Sequence, residues 1–101
     1  MSNTTISRIR EIQALLPGTV HLDDFFQLCD EQADLILSER PNMTNEEFIE
    51  LGEQMIVQSY DRLTDVLYGH NGLSSFAMVN NIAPTQRKFA KIRNLIDQMR
   101  R

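Results

Sequence analysis

The sequence predicts an all-α fold: a small antiparallel helical bundle of four main helices plus one short helix. Three observations lead there. Apolar residues recur every three or four positions along most of the chain. Glycine is scarce, at 4 of 101 residues, and β-branched residues do not cluster. The segments between the apolar stripes are short, so neighbouring helices should run antiparallel. A chain of 101 residues fits a single domain over 1–101, and 42% hydrophobic residues suffice for a core without covalent staples.

The first helix is expected from about Thr5 to Leu16, with Ile6, Ile9, Ile12 and Leu16 as its stripe and Pro17-Gly18 as its stop. The second runs from about Leu22 to Glu39. Leu22, Phe25, Phe26, Cys29, Ala33 and Ile36 line it, and Arg40-Pro41 ends it because a residue before proline avoids the α region. The third has the clearest start. Thr44 and Glu47 have the spacing of a capping box, in which hydroxyl and carboxylate each take a backbone N–H. Phe48, Leu51, Met55, Ile56, Leu63, Val66 and Leu67 carry it to about Tyr68, and Gly69 supplies the C-terminal stop. A short helix is expected over 74–80 with Phe76, Ala77 and Val79, broken by Asn80-Asn81-Ile82-Ala83. Pro84, well tolerated at a helix start, opens the last helix, whose stripe is Phe89, Ile92, Leu95, Ile96 and Met99.

The net charge of −4 conceals a gradient. Residues 21–65 hold twelve acids against two arginines, whereas residues 66–101 hold six bases against one acid. Such asymmetry marks either a nucleic-acid-facing end or an acidic and a basic helix packed side by side. The N-terminal stretch lacks the apolar region of a signal peptide, and no run has the length of a membrane span, so a cytoplasmic location is expected with no membrane association.

Candidate chemistry is sparse. His21 has only Asp24 three residues on, a single pair at a helix start, and His70 has no second ligand at helical spacing, so neither a metal nor a cofactor is expected. Both lie in or beside loops, which also argues against a histidine phosphotransfer module. Cys29 shares a face with Phe25 and Ile36 and reads as a small core hydrophobe. The acids Glu46, Glu47, Glu50 and Glu53 suit the positive end of the third helix. No residue set supports catalysis, so an enzyme is not expected.

The last helix holds the candidate site. Opposite its apolar stripe lie Gln86, Arg87, Ala90, Lys91, Asn94 and Gln98; Lys88, Arg93, Arg100 and Arg101 add charge. The run from Phe76 to Arg87, with Ala77 as a small residue, Asn81 at the turn, Ile82 as an apolar residue and Ala83-Pro84-Thr85 opening a helix, resembles a helix-turn-helix. The resemblance covers about 20 residues. It implies that residues 74–99 read DNA, with Gln86, Arg87 and Asn94 at base edges and Arg93, Arg100 and Arg101 on phosphates. In that family an apolar anchor stands one turn into the reading helix. Arg87 falls there, and Phe89 follows two residues later.

The leading expectation is therefore a small non-enzymatic regulatory or interaction protein. It would bind a partner protein through exposed helix faces: the acidic second and third helices, or the basic last one. The alternative is a helix-turn-helix DNA-binding regulator. Gln86, Arg87, Lys88, Lys91, Asn94, Arg100 and Arg101 are the contact residues in either case. A homodimer is expected because the third helix overreaches its neighbours and both faces carry apolar or Met residues, among them Met55, Met78 and Met99.

Overall fold

The computed structural model describes residues 3–67 and 76–101, with side chains at 4–21, 23–59 and 83–101. Four α-helices make up the fold: α1 (Asn3–Leu15), α2 (Leu22–Glu39), α3 (Asn45–Leu67) and α4 (Phe76–Met99). Single 3-10 turns follow α1 at Leu16–Gly18 and α2 at Arg40–Asn42. No strand occurs among the described residues. The expected helix stop at Gly69 and the loop with His70 lie outside the described residues.

The capping box forms at the start of α3. The Glu47 N–H donates to the Thr44 hydroxyl at 3.1 Å, and the Thr44 N–H donates to Glu47 Oε1 at 2.9 Å. The two prolines that follow α1 and α2 each sit in a 3-10 turn. Pro17 has a further effect. The i+4 donor for the Gln13 carbonyl would be Pro17, which has no N–H. Gln58 of α3 supplies one instead, donating from Nε2 to the Gln13 carbonyl at 2.9 Å. Gln13 in turn donates from its own Nε2 to the Leu51 carbonyl at 3.0 Å, so two glutamines clasp α1 to α3. At the opposite corner Arg40 stacks over the Phe48 ring at 5.0 Å and donates to Asn45 Oδ1, tying the end of α2 to the start of α3.

The stripes converge on one core. Ile9, Ile12 and Leu16 meet Phe25, Cys29, Ala33 and Ile36 of α2, Phe48, Leu51 and Met55 of α3, and Phe89, Ile92 and Ile96 of α4. Met43, in the connection before α3, joins them. The most extensive helix contact is between α3 and α4. It closes on Gly52, where a Cβ would stand 2.8 Å from Ile96 Cδ1 and 3.0 Å from Ile92 Cγ2.

One expected element is corrected. Residues 76–83 and 84–99 are not a short helix, a turn and a second helix; α4 is a single helix with Pro84 inside it. Proline removes one rung of the ladder, the bond its N–H would make to the Asn80 carbonyl, at a cost of about 3 kcal/mol. Immediately after it, Thr85 is buried and Phe89 enters the core, so packing holds the helix together where local preference would end it. At 24 residues α4 also matches the 23 of α3, so the length of α3 has a counterpart within the chain.

Two substitutions test this packing. Gly52→Leu is expected to cost about 2–3 kcal/mol in urea unfolding, because Ile92 and Ile96 cannot both withdraw. Gly52→Ala should cost far less than Gly52→Leu, since about 1 kcal/mol of helix propensity is set against the shifts of the Ile96 Cδ1 and Ile92 Cγ2 methyls. Gln32 is fully buried, and neither its Nε2 nor its Oε1 has a hydrogen-bond partner among the described residues. Gln32→Met should therefore raise stability by about 1–2 kcal/mol in the same assay.

Candidate interaction surface on the last helix

The cations of α4 divide according to the direction in which the helix turns them. Ile92 and Ile96 face Gly52 of α3, and this fixes the rotation of the whole helix. Lys88 consequently points to α2. Its Nζ donates to Asp30 Oδ1 at 2.8 Å and reaches Asp34 Oδ1 at 2.9 Å. The buried Thr85 hydroxyl donates to the same Asp30 oxygen at 2.8 Å. Arg100 turns to α3 and pairs with Glu53 at 2.6 Å. Two members of the expected contact set, Lys88 and Arg100, thus pair with carboxylates of neighbouring helices, Arg100 while remaining exposed.

Arg87, Lys91, Asn94 and Arg101 are exposed, and Gln86 is half-buried. Arg93 and Ala90 are exposed beside them. Among the described residues no ion pair is made by Arg87, Lys91 or Arg93. The surface dips on either side of Ala90. A hollow of about 310 Å³ is lined by Ala83, Gln86, Arg87 and Ala90. A second, of about 320 Å³, is lined by Ile56 and Phe89 together with Ala90, Arg93, Asn94 and Asp97. The sequence did not reveal these hollows: Ile56 comes from α3, and only the helix pairing brings it beside Ala90.

Elsewhere the charges are mostly satisfied within the chain. Arg8 makes a bidentate pair with Glu31, at 2.7 and 2.9 Å, and also contacts Glu11. Arg10 pairs with Glu50 at 3.2 Å. The Arg8–Glu31 pair lines a hollow at the α1–α2 corner that also includes Leu15 and Val20. His21 is exposed at the start of α2, where its carbonyl accepts the Phe25 N–H. Cys29 is fully buried and unbridged. Among the described residues no three His, Cys, Asp or Glu side chains gather as a metal ion requires, and no helix is long and apolar enough to cross a membrane.

Asp30, Glu31 and Lys88 titrate away from their ordinary values. Burial works to raise the Asp30 carboxyl, but the hydrogen bonds from Lys88 and Thr85 outweigh it and hold the pKa below the ordinary 3.8. The hydrogen bond from Arg8 holds Glu31 below 4.5. Hydrogen bonds to Asp30 and then Asp34 raise Lys88 above 10.5. No family model, curated protein or solved structure matches the chain.

A pH profile follows from these signs. Carboxyls depressed by folding give stability that is complete above their unfolded values and is lost as pH falls through the folded ones. The raised lysine gives stability that is complete below its unfolded value and is lost as pH rises through the folded one. Urea unfolding should therefore weaken below about pH 4 and again above about pH 10.5. Lys88→Met is expected to cost about 1–2 kcal/mol at neutral pH and to flatten the acid limb, because Asp30 then loses the partner that lowers it.

Proposed function

We propose that this chain is a small non-enzymatic regulatory protein of the cytoplasm that binds an acidic partner protein on the outer face of α4. The observation that carries this reading is the division of the cations. In a chain of net charge −4, Arg8, Arg10, Lys88 and Arg100 are paired within the chain, while Arg87 and Lys91, one turn apart, and Arg93, on the other flank of α4, are exposed and make no ion pair among the described residues. Clustered exposed charge of one sign speeds and orients encounter with the opposite sign and contributes little to folding. The sequence offered the acidic helices as the other contact surface. Asp30, Glu31, Asp34, Glu50 and Glu53 are engaged with cations of the same chain. This leaves Asp23, Asp24 and Glu46 as exposed acids of α2 and α3 without an ion pair among the described residues. We take α4 as the contact for its exposed cations in a chain of net negative charge.

DNA is the second reading. The strip Arg87, Lys91 and Asn94, at i, i+4 and i+7, supports it, as residue types suited to base edges and phosphates. The turn from which the helix-turn-helix resemblance was drawn is absent, so any reading unit would be the single helix α4. The homodimer also stands as a proposal. Its remaining support is Val57 on α3, which is 77% exposed.

Affinity capture from cells that make the protein tests the first reading. The wild type should recover a protein that an Arg87→Glu, Lys91→Glu, Arg93→Glu variant does not. Equal recovery by both overturns α4 as the contact. Salt-dependent binding to duplex DNA at about 50 mM salt, lost in the same variant, would favour the second reading. A monomer mass in sedimentation at high protein concentration would rule out the dimer.

A further inference from the structure

The basic outer face alone would accept any polyanion, but its relief is more selective. The two hollows share Ala90 and lie on opposite sides of it along α4. Their lining residues are centred about six positions apart, which is about 9 Å along a helix axis. Each hollow, at about 310 and 320 Å³, has room for one large side chain. The first has two alanines in its lining; the second has Ile56 and Phe89. Arg87 borders the first and Arg93 the second, while Lys91 is exposed on the next position after the shared alanine.

The two recesses lie about two helical turns apart, the first mostly apolar and the second mixed, with Ile56 and Ala90 beside Arg93, Asn94 and Asp97. Bordered by cations that make no ion pair among the described residues, they match an amphipathic helix with apolar residues at i and i+7 and acids on its flanks. An extended segment fits less well. It would need backbone partners, and the amides along the middle of α4 are already engaged in its own ladder. Resting on the reading of α4 as the contact face, we propose that the partner's contacting element is an acidic amphipathic helix. It would lie along α4, placing one apolar side chain in the Ala83–Ala90 hollow and the other against Ile56 and Phe89. Asp97, at the far end of the second hollow, disfavours an acid at that point and sets which end of the partner helix lies there.

The test is an NMR titration of the isotope-labelled full chain with a helical peptide of about 18 residues, carrying leucines at i and i+7 and glutamates on both flanks. A control peptide has both leucines replaced by glutamine. Shifts are expected around Ile56, Ala83, Phe89 and Ala90, with the leucine peptide binding about tenfold tighter than the control. Ala90→Leu, at the exposed position the two hollows share, narrows the entrance to both and should reduce that preference without disturbing the spectrum elsewhere. Arg87→Glu, Arg93→Glu should weaken the leucine peptide by about tenfold or more. Equal affinity for the two peptides overturns the hollows as anchor sites and leaves the α4 reading intact. If neither peptide binds at about 1 mM, yet affinity capture still separates the wild type from the charge-reversed variant, the amphipathic helix is overturned and the contact face stands. Binding of a duplex of about 24 base pairs with no peptide binding overturns both in favour of nucleic acid.

Discussion

The contact between Gly52 of α3 and the Ile92–Ile96 pair of α4 sets the azimuth of the last helix, and everything on that helix follows from it. With Ile92 and Ile96 seated over a residue that has no side chain, a rotation would drive a branched side chain into backbone or lift it from the core. Rotating α4 about its axis would also lift Phe89 from the core, where it is buried with Ile92 and Ile96. The pinned orientation sends Thr85 and Lys88 to α2, Arg100 to α3, and Arg87, Ala90 and Asn94 to solvent. The charge pattern of the surface is thus a consequence of steric fit in the interior.

This explains why four cations within seven residues behave differently. Arg87, Lys88, Lys91 and Arg93 are neighbours in sequence, yet only Lys88 lies on the α2 side. Its two carboxylates are spaced one helical turn apart on α2, so a single ammonium bridges both. Half-exposed pairs of this kind add modestly to stability. Their larger effect is on register, because Thr85 and Lys88 converge on one carboxylate oxygen and so specify how far α4 slides along α2.

Most of the fold was legible in the sequence. The bounds of α2 and the capping box of α3 were read directly, the box because a hydroxyl and a carboxylate stand three residues apart. The physical reason expected for the α2 stop is corrected: Arg40 before Pro41 keeps an α-region backbone (φ −48°, ψ −44°), and the helix tightens into a 3-10 turn there. Of the core, Ile9, Phe25, Cys29, Phe48, Phe89 and Ile96 all follow from periodicity. What was not legible depends on other elements. Asn80-Asn81 and Pro84 carry a local signal for a break, and the continuity of α4 is decided by packing that begins at Thr85. Periodicity likewise separates a helix's inner face from its outer one but does not tell which neighbour a flanking residue meets. The carboxylates that Lys88 and Arg100 meet on α2 and α3 were therefore not legible, and the hollow formed jointly by Ile56 and Ala90 had no sequence signature at all.

The clasp between α1 and α3 has an evolutionary consequence. Gln58 donates to the Gln13 carbonyl, whose own helical donor is missing because position 17 is proline. The two positions are 41 residues apart, yet each sets the cost of changing the other. While Pro17 is present, losing Gln58 strands a carbonyl; once position 17 carries an amide, Gln58 is released to drift. Substitutions at 17 and 58 should therefore be accepted in that order and seldom in the reverse, so that the lineage of this fold would keep a record of which came first.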